Sequence, residues 1–195
     1  MRKTLYIVLG VLLMTTKALA LDYRLPEKAS QSDKYYVTVR TALGEIESGN
    51  DVSARNKRSS ASGKYQFIKA WDKFFQTNAG MRWTTSVPPR GASENLIISM
   101  GVRQDMLFDT YYDIIVSPWL SATRKKKTVL SDAELVALAH RQGTAGADLY
   151  LRTGKDPYAG KLGNKHVAAH LRAMRRQMKF YNYLDSQTFM VKGNR

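Results

Sequence analysis

The chain has 195 residues, with 31 Lys and Arg against 16 Asp and Glu, a net charge of +15 and no cysteine. The missing cysteine excludes a thiol nucleophile and a disulfide, so the hydrophobic core must hold the fold together. This length suits one domain, and the positive charge favours an anionic partner.

Residues 1–20 are predicted to be a signal peptide. Arg2 and Lys3 precede an apolar run from Leu5 to Met14, and Ala18-Leu19-Ala20 is a small-x-small cleavage site. The run is shorter than the roughly 20 residues that a membrane span needs. An uncleaved anchor is the alternative, and it would be the chain's only attachment to a membrane. We expect export to the periplasm or cell envelope.

The segment after the signal peptide is predicted to be an extended lead-in over residues 21–33. The first twenty residues carry three positive charges and no acid, so the mature chain keeps +12. Such a charge would also suit nucleic acid, but the export signal favours anionic wall polymers and membrane surfaces as the partner instead.

A helix beginning near residue 32 or 33 is predicted to carry Glu47 in its last turn. Helical steps back from Glu47 meet Leu43 and Val39, whereas those from Glu45 meet polar residues. Glu47 should therefore face inward. Partial burial disfavours the anion and raises the pKa of a carboxyl, which can then donate a proton near neutral pH. A merely structural glutamate at a helix end is the alternative.

The rest of the chain is predicted to be mainly helical, with a surface loop and at most a small hairpin after Glu47. The expected elements are a helix over 68–78 stopped by Gly80, a long helix over 93–116 bounded by Pro118, a helix capped by Ser131 and Glu134, a loop over 155–163, and a last helix over 164–178.

Three short motifs follow one another in the sequence: Glu47-Ser48, Gly63-Lys64-Tyr65-Gln66 and Ala139-His140-Arg141-Gln142-Gly143. Their order and spacing resemble the soluble lytic transglycosylase family of the lysozyme-like superfamily. That family has Glu-Ser, Gly-x-x-Gln and an Ala-Tyr-Asn-type motif. Here the third motif is altered, with His140 in the place of the tyrosine and Arg141 in that of the asparagine.

The resemblance implies an all-α, lysozyme-like single domain over residues 34–180, α+β at most by a small hairpin, with a C-terminal tail over 181–195. It also implies that Glu47 is the catalytic residue. The residues expected to bind substrate are Ser48, Tyr65, Gln66, His140 and Gln142. Tyr65 could instead be a packing residue, and His140 a satisfied buried histidine.

The implied reaction cleaves the β-1,4 bond between N-acetylmuramic acid and N-acetylglucosamine in peptidoglycan glycan strands, forming a 1,6-anhydro ring. Glu47 acts first as acid and then as base, without a second carboxylate. Such enzymes open the wall locally, often for a secretion or conjugation machine. The alternatives are a hydrolytic lysozyme, with Asp51 or Asp72 as second carboxylate, and a non-catalytic peptidoglycan-binding assembly protein.

No cofactor and no metal are expected. His166 and His170 have helical i, i+4 spacing, but the sequence offers no evident third ligand for a zinc site.

Overall fold

Helices form most of the chain in a computed structural model that describes residues 31–126, 128–156 and 166–192. They are α1 Gln31–Ser48, α2 Asp72–Ala79, α3 Glu94–Tyr111, α4 Ser117–Arg124, α5 Asp132–Thr153 and α6 His166–Lys192. The all-α prediction is confirmed. Intrachain contacts define a unit from Thr38 onward, and the site described below lies within it.

The predicted signal peptide lies outside the described residues. The lead-in was predicted to be extended as far as residue 33, but α1 already includes Gln31. No helix among the described residues is both long and apolar enough to cross a membrane.

The end of α1 is fixed by a left-handed turn at Gly49 and Asn50, with φ of 68° and 59°. Their amides donate to the carbonyls of Glu45 at 2.8 Å and Gly44 at 3.1 Å. These bonds satisfy carbonyls that the last helical turn leaves open. Glu47 therefore lies in the last turn of α1, as predicted.

The loop after α1 contains a minimal hairpin. Ser62 forms isolated antiparallel bridges with Arg55 and with Phe67. The backbone of this loop depends on a side chain of α3: Gln104 accepts a bond from the Lys64 amide at 2.7 Å and donates to the carbonyls of Val52 at 2.9 Å and Ser86 at 2.8 Å.

The long central helix differs from its prediction. Ser93 caps α3 as expected, accepting a bond from the Leu96 amide. Pro118, however, does not end the helical path, because a π-helical turn over Tyr112–Val116 leads directly into α4. Pro118 therefore lies in the first turn of α4, at the junction with the π-helical turn, rather than beyond the end of the helical path.

Helix α5 begins at the predicted capping box. The Ser131 amide donates to Glu134 Oε2 at 3.0 Å, and the Glu134 amide donates to Ser131 Oγ at 3.4 Å. Gly143, with φ 68° and ψ 163°, breaks the helical path within α5, and left-handed Gly154 ends the helix. The kink separates the helical turn that carries His140 from the turns that follow Gly143.

Helix α6 continues well past its predicted end. Its predicted apolar stripe is buried, at Val167, Leu171, Met174 and Met178. The predicted C-terminal tail over 181–195 begins within this helix, which extends to Lys192. No glycine or proline interrupts the chain before Gly193, so helical propensity carries the helix beyond its packed face. Most of the predicted 155–163 loop lies outside the described residues.

Two left-handed glycines provide a matched test of this packing. A Cβ at Gly63 would lie 2.7 Å from Gln104 Oε1 and 2.8 Å from Trp83, whereas one at Gly80 would meet nothing within 4 Å. We expect Gly80→Ala to cost about 1 kcal/mol from backbone strain alone. Gly63→Ala should cost roughly 3 kcal/mol or more because it also overpacks the core. Urea unfolding measures both, and equal losses would contradict the packing described here.

Candidate active site

The Glu47 carboxyl is the best candidate for a reacting group. Its side chain is 10% exposed. Burial raises the pKa of Glu47 from 4.5 to about 7, against the opposing effect of the positive charge on Arg141. A carboxyl with this pKa is partly protonated at neutral pH, so it can act as a proton donor and, once ionised, as a base.

The closest ionisable neighbour of Glu47 comes from the other end of the chain. His170 Nε2, on α6, lies 3.3 Å from Glu47 Oε1, and the His170 side chain is also 10% exposed. The two atoms are at contact distance without the alignment of a hydrogen bond. Burial, together with the charges of Arg141 and His140, lowers the pKa of His170 to about 3, so its ring is neutral at pH 7.

His170 was missed as a site residue, because the sequence pattern suggested it only as half of a metal pair with His166. The structure separates the two residues, since His166 is exposed. The helical period could have found His170, which lies three residues after Val167 and four before Met174, on the buried face of α6. Within the described residues, no three acidic or histidine side chains group to hold a metal ion.

Ser48 joins the end of α1 to the Gly-x-x-Gln motif. Its hydroxyl donates to the Lys64 carbonyl at 2.8 Å, with the Gly44 carbonyl at 3.3 Å. The hydroxyl proton of Ser48 is therefore engaged in a hydrogen bond within the protein. Ser48 holds the motif beside Glu47 rather than presenting a donor to substrate.

Tyr65 is a packing residue, and the sugar-stacking alternative is wrong because its side chain is 0% exposed. Its ring stacks on Phe108 at 4.4 Å between centroids, and its hydroxyl donates to Asp105 at 2.6 Å. Asp105 also accepts from Lys64 Nζ at 3.1 Å and lies 3.8 Å from Arg40 of α1. This ionic cluster fixes the motif against α1 and α3.

The side-chain amide of Gln66 is bonded within its own turn rather than to Glu47. Its backbone is left-handed, with φ of 52°, which is unusual outside glycine. This conformation turns the amide back onto its own turn, where Nε2 donates to the Gly63 carbonyl at 2.9 Å. Binding of substrate by the half-buried Gln66 stays a prediction.

His140 also bonds elsewhere than to Glu47. Its Nε2 lies 2.8 Å from the Tyr65 carbonyl, which can only accept, so Nε2 carries the proton. Nδ1 is then an acceptor, and it is buried without a hydrogen-bond partner among the described residues. Burial lowers the pKa of His140 to about 4, opposed by the Tyr65 bond and aided by Arg141.

An aromatic cluster holds the His140 ring in place. Phe67 meets the ring edge to face, with 4.9 Å between centroids, and Tyr111 lies at 5.9 Å. His140 is thus neutral and packed, but it is not the fully satisfied histidine of the structural alternative, because Nδ1 has no partner among the described residues. Its free Nδ1 leaves a substrate contact as a prediction.

Gln142 is withdrawn from solvent, since it is 5% exposed. Its Nε2 donates to Asp156 at 3.2 Å, and its Oε1 is buried without a partner among the described residues. The expected contact of Gln142 with substrate is therefore not supported, because its amide is directed into the protein. Arg141, which was not among the expected binding residues, provides the positive charge felt by Glu47, His140 and His170.

An open groove of about 520 Å³ begins at Asp51, four residues after Glu47 in the chain. Its walls come from residues 51–55 and 88–92 together with Ile97, and they include the exposed side chains of Arg55 and Arg90. Glu47 does not line this groove. The charged side chains that line the groove are Asp51, Arg55 and Arg90.

No protein-family model, curated protein or solved structure matches the chain. Any assignment of function therefore rests on the motifs and on the geometry of the site.

The burial of Glu47 has a measurable cost. Because the folded state binds its proton more tightly than the unfolded state, stability should fall as pH rises from about 4.5 to about 7. We expect Glu47→Gln to gain on the order of 3 kcal/mol relative to wild type across this range, measured by urea unfolding at pH 4 and pH 8. Glu45→Gln, on the same helix, is the matched control. The same pH dependence in both variants would indicate an effect of net charge rather than of the buried carboxyl.

Proposed function

We propose that this chain is an exported peptidoglycan lytic transglycosylase with a lysozyme-like fold. The single observation that carries the proposal is the Glu47 carboxyl, which is 10% exposed and has a pKa of about 7. It lies beside a Gly-x-x-Gln turn that Ser48 and Asp105 hold in place. Cleavage of a glycosidic bond by one carboxyl requires such a proton donor.

The proposed reaction has two steps. The Glu47 proton passes to the glycosidic oxygen, the bond from C1 of N-acetylmuramic acid to that oxygen breaks, and N-acetylglucosamine leaves with a new hydroxyl. The ionised Glu47 then takes the proton of the muramoyl C6 hydroxyl as its oxygen bonds to C1. Glu47 ends protonated again, and the product is a 1,6-anhydro ring. The reaction therefore consumes no water and requires no second carboxylate.

The surroundings of Asp51 and Asp72, the two candidate second carboxylates, favour this reaction over hydrolysis. Both oxygens of Asp72 are engaged, accepting from the Thr84 amide at 2.9 Å and the Thr84 hydroxyl at 2.6 Å. Asp51 is exposed and accepts from the Ser53 amide at 2.7 Å. Neither has a geometry that supports a role as nucleophile or base opposite Glu47, whereas the internal C6 hydroxyl needs no such group.

The charge of the chain is consistent with a wall substrate. Peptidoglycan carries carboxylates on its stem peptides, and Arg55 and Arg90 line the open groove. We propose local opening of the wall, for an envelope-spanning machine such as a secretion or conjugation apparatus, as the cellular role.

Analysis of digested muropeptides by mass spectrometry tests the proposal. Wild type and the control Glu45→Gln should release anhydro-muropeptides, and Glu47→Gln should be slower by about 10²- to 10⁴-fold. Activity should decline as pH rises past about 7, because Glu47 then loses its proton.

Each of the other outcomes would assign a different activity to the chain or to Glu47. Reducing ends would make the chain a hydrolytic lysozyme. Co-sedimentation with peptidoglycan but no cleavage would make it a non-catalytic assembly protein. Full activity of Glu47→Gln would remove Glu47 from the reaction.

A further inference from the structure

The contact between Glu47 and His170 joins α1 to the last described helix. The two side chains are equally buried, and Nε2 of the imidazole lies 3.3 Å from Oε1 of the carboxyl. His170 is placed there by the apolar stripe of α6, in which Val167 and Leu171 pack with Leu138 and Ala147 of α5. A histidine on this buried face loses hydration, so its polar atoms need partners within the protein.

Burial and the positive charge of Arg141 keep the His170 ring neutral at pH 7. Arg141 and the neutral His140 are both on α5, and Glu47 faces His170 from α1. A cation at Arg141 disfavours a second cation beside it, so a Glu47 anion paired with an imidazolium is the less stable arrangement. The pair therefore holds its shared proton on the carboxyl, and the imidazole keeps one N–H of its own.

Nε2 of His170 is buried without a hydrogen-bond partner among the described residues, and Glu47 Oε1 lies 3.3 Å from it, so a rotation of either side chain would place one hydrogen between the two atoms. If that hydrogen belonged to the carboxyl, the acidic proton would be directed at His170 and could not be donated to the substrate. If it belongs to Nε2, then Oε1 is the acceptor and the acidic proton lies on Oε2, free for a leaving oxygen. Poor alignment before substrate binds is common for catalytic hydrogen bonds, so the present geometry permits this bond.

We propose that His170 is the positioning residue of the general acid: its Nε2–H donates to Glu47 Oε1, so that Oε2 presents the proton to the glycosidic oxygen. This inference rests on the proposed function. After the proton has left, the same N–H donates to the carboxylate and stabilises it until the C6 hydroxyl returns a proton. His170 neither gains nor loses a proton in the cycle.

The tautomer of His170 tests this directly in the wild-type protein. A long-range ¹H–¹⁵N NMR spectrum at pH 7, assigned by comparison with His170→Gln, should show a protonated Nε2 and an unprotonated Nδ1. A bare Nε2, or a fully protonated ring, would overturn the proposal. This measurement requires no catalytic activity, and it does not depend on whether a His170→Phe variant folds.

Replacing His170 by phenylalanine distinguishes the effect of its hydrogen bond on Glu47 from the effect of burying Glu47 beneath an aromatic ring. His170→Phe keeps an aromatic ring over Glu47 but removes the donor, so the pKa of Glu47, followed by ¹³C NMR, should rise by about one pH unit. His170→Gln restores an N–H and should return the pKa toward the wild-type value. His166→Phe, at the exposed position one turn earlier, is the matched control and should leave the pKa unchanged.

A purely structural role for His170 predicts a different pattern. The melting temperature of His170→Phe would then fall while the pKa of Glu47 in the folded protein stayed the same or decreased, and either result would overturn the proposal. In the muropeptide assay, we expect His170→Phe to lower kcat about 10- to 100-fold with little change in KM. If wild type releases no muropeptides but shows the expected tautomer, the proposed function is wrong, whereas the hydrogen bond from His170 Nε2 to Glu47 Oε1 is still supported.

Discussion

The side-chain amide of Gln104 is the interaction on which the arrangement of the site depends. The segments after α1 and before α3 contain little regular structure, so their buried backbone groups have few ladder partners. Gln104, fully buried on α3, bonds to the backbone of Lys64, Val52 and Ser86 at 2.7 to 2.9 Å. One side chain thus fixes three loop segments on the central helix.

The neighbouring residue, Asp105, adds charge to this arrangement. It brings together Lys64 and Tyr65 of the Gly-x-x-Gln motif and Arg40 of α1. An ion cluster of this kind is costly to desolvate, but it specifies one geometry because every partner must be present. The end of α1 and the loop beside it are consequently held as one rigid frame around Glu47.

Local patterns in the sequence predicted much of the fold. The Ser131–Glu134 capping box, the stop at Gly80 and the inward orientation of Glu47 each depend on residues within a few positions of one another. The same kind of reasoning failed for the end of α6, because helical propensity extends this helix past Met178 without an apolar face to mark its length. It also failed at Pro118, which lies inside α4 instead of ending the helical path.

The partners of the candidate acid could not be predicted in the same way. The motifs suggested Gln66 and His140, and both side chains bond to nearby backbone instead. His170, at the far end of the chain, takes that place because α6 packs on α5. Such pairings arise from long-range packing, which a helical period can hint at but cannot assign.

The separation of Glu47 and His170 along the chain has a consequence for biogenesis. The carboxyl owes its raised pKa to burial, and α6 supplies His170 as part of that cover. Until α6 has folded over it, Glu47 is hydrated and behaves as an ordinary acid, ionised at neutral pH. The raised pKa of Glu47 is therefore acquired only when α6 has packed onto the rest of the site.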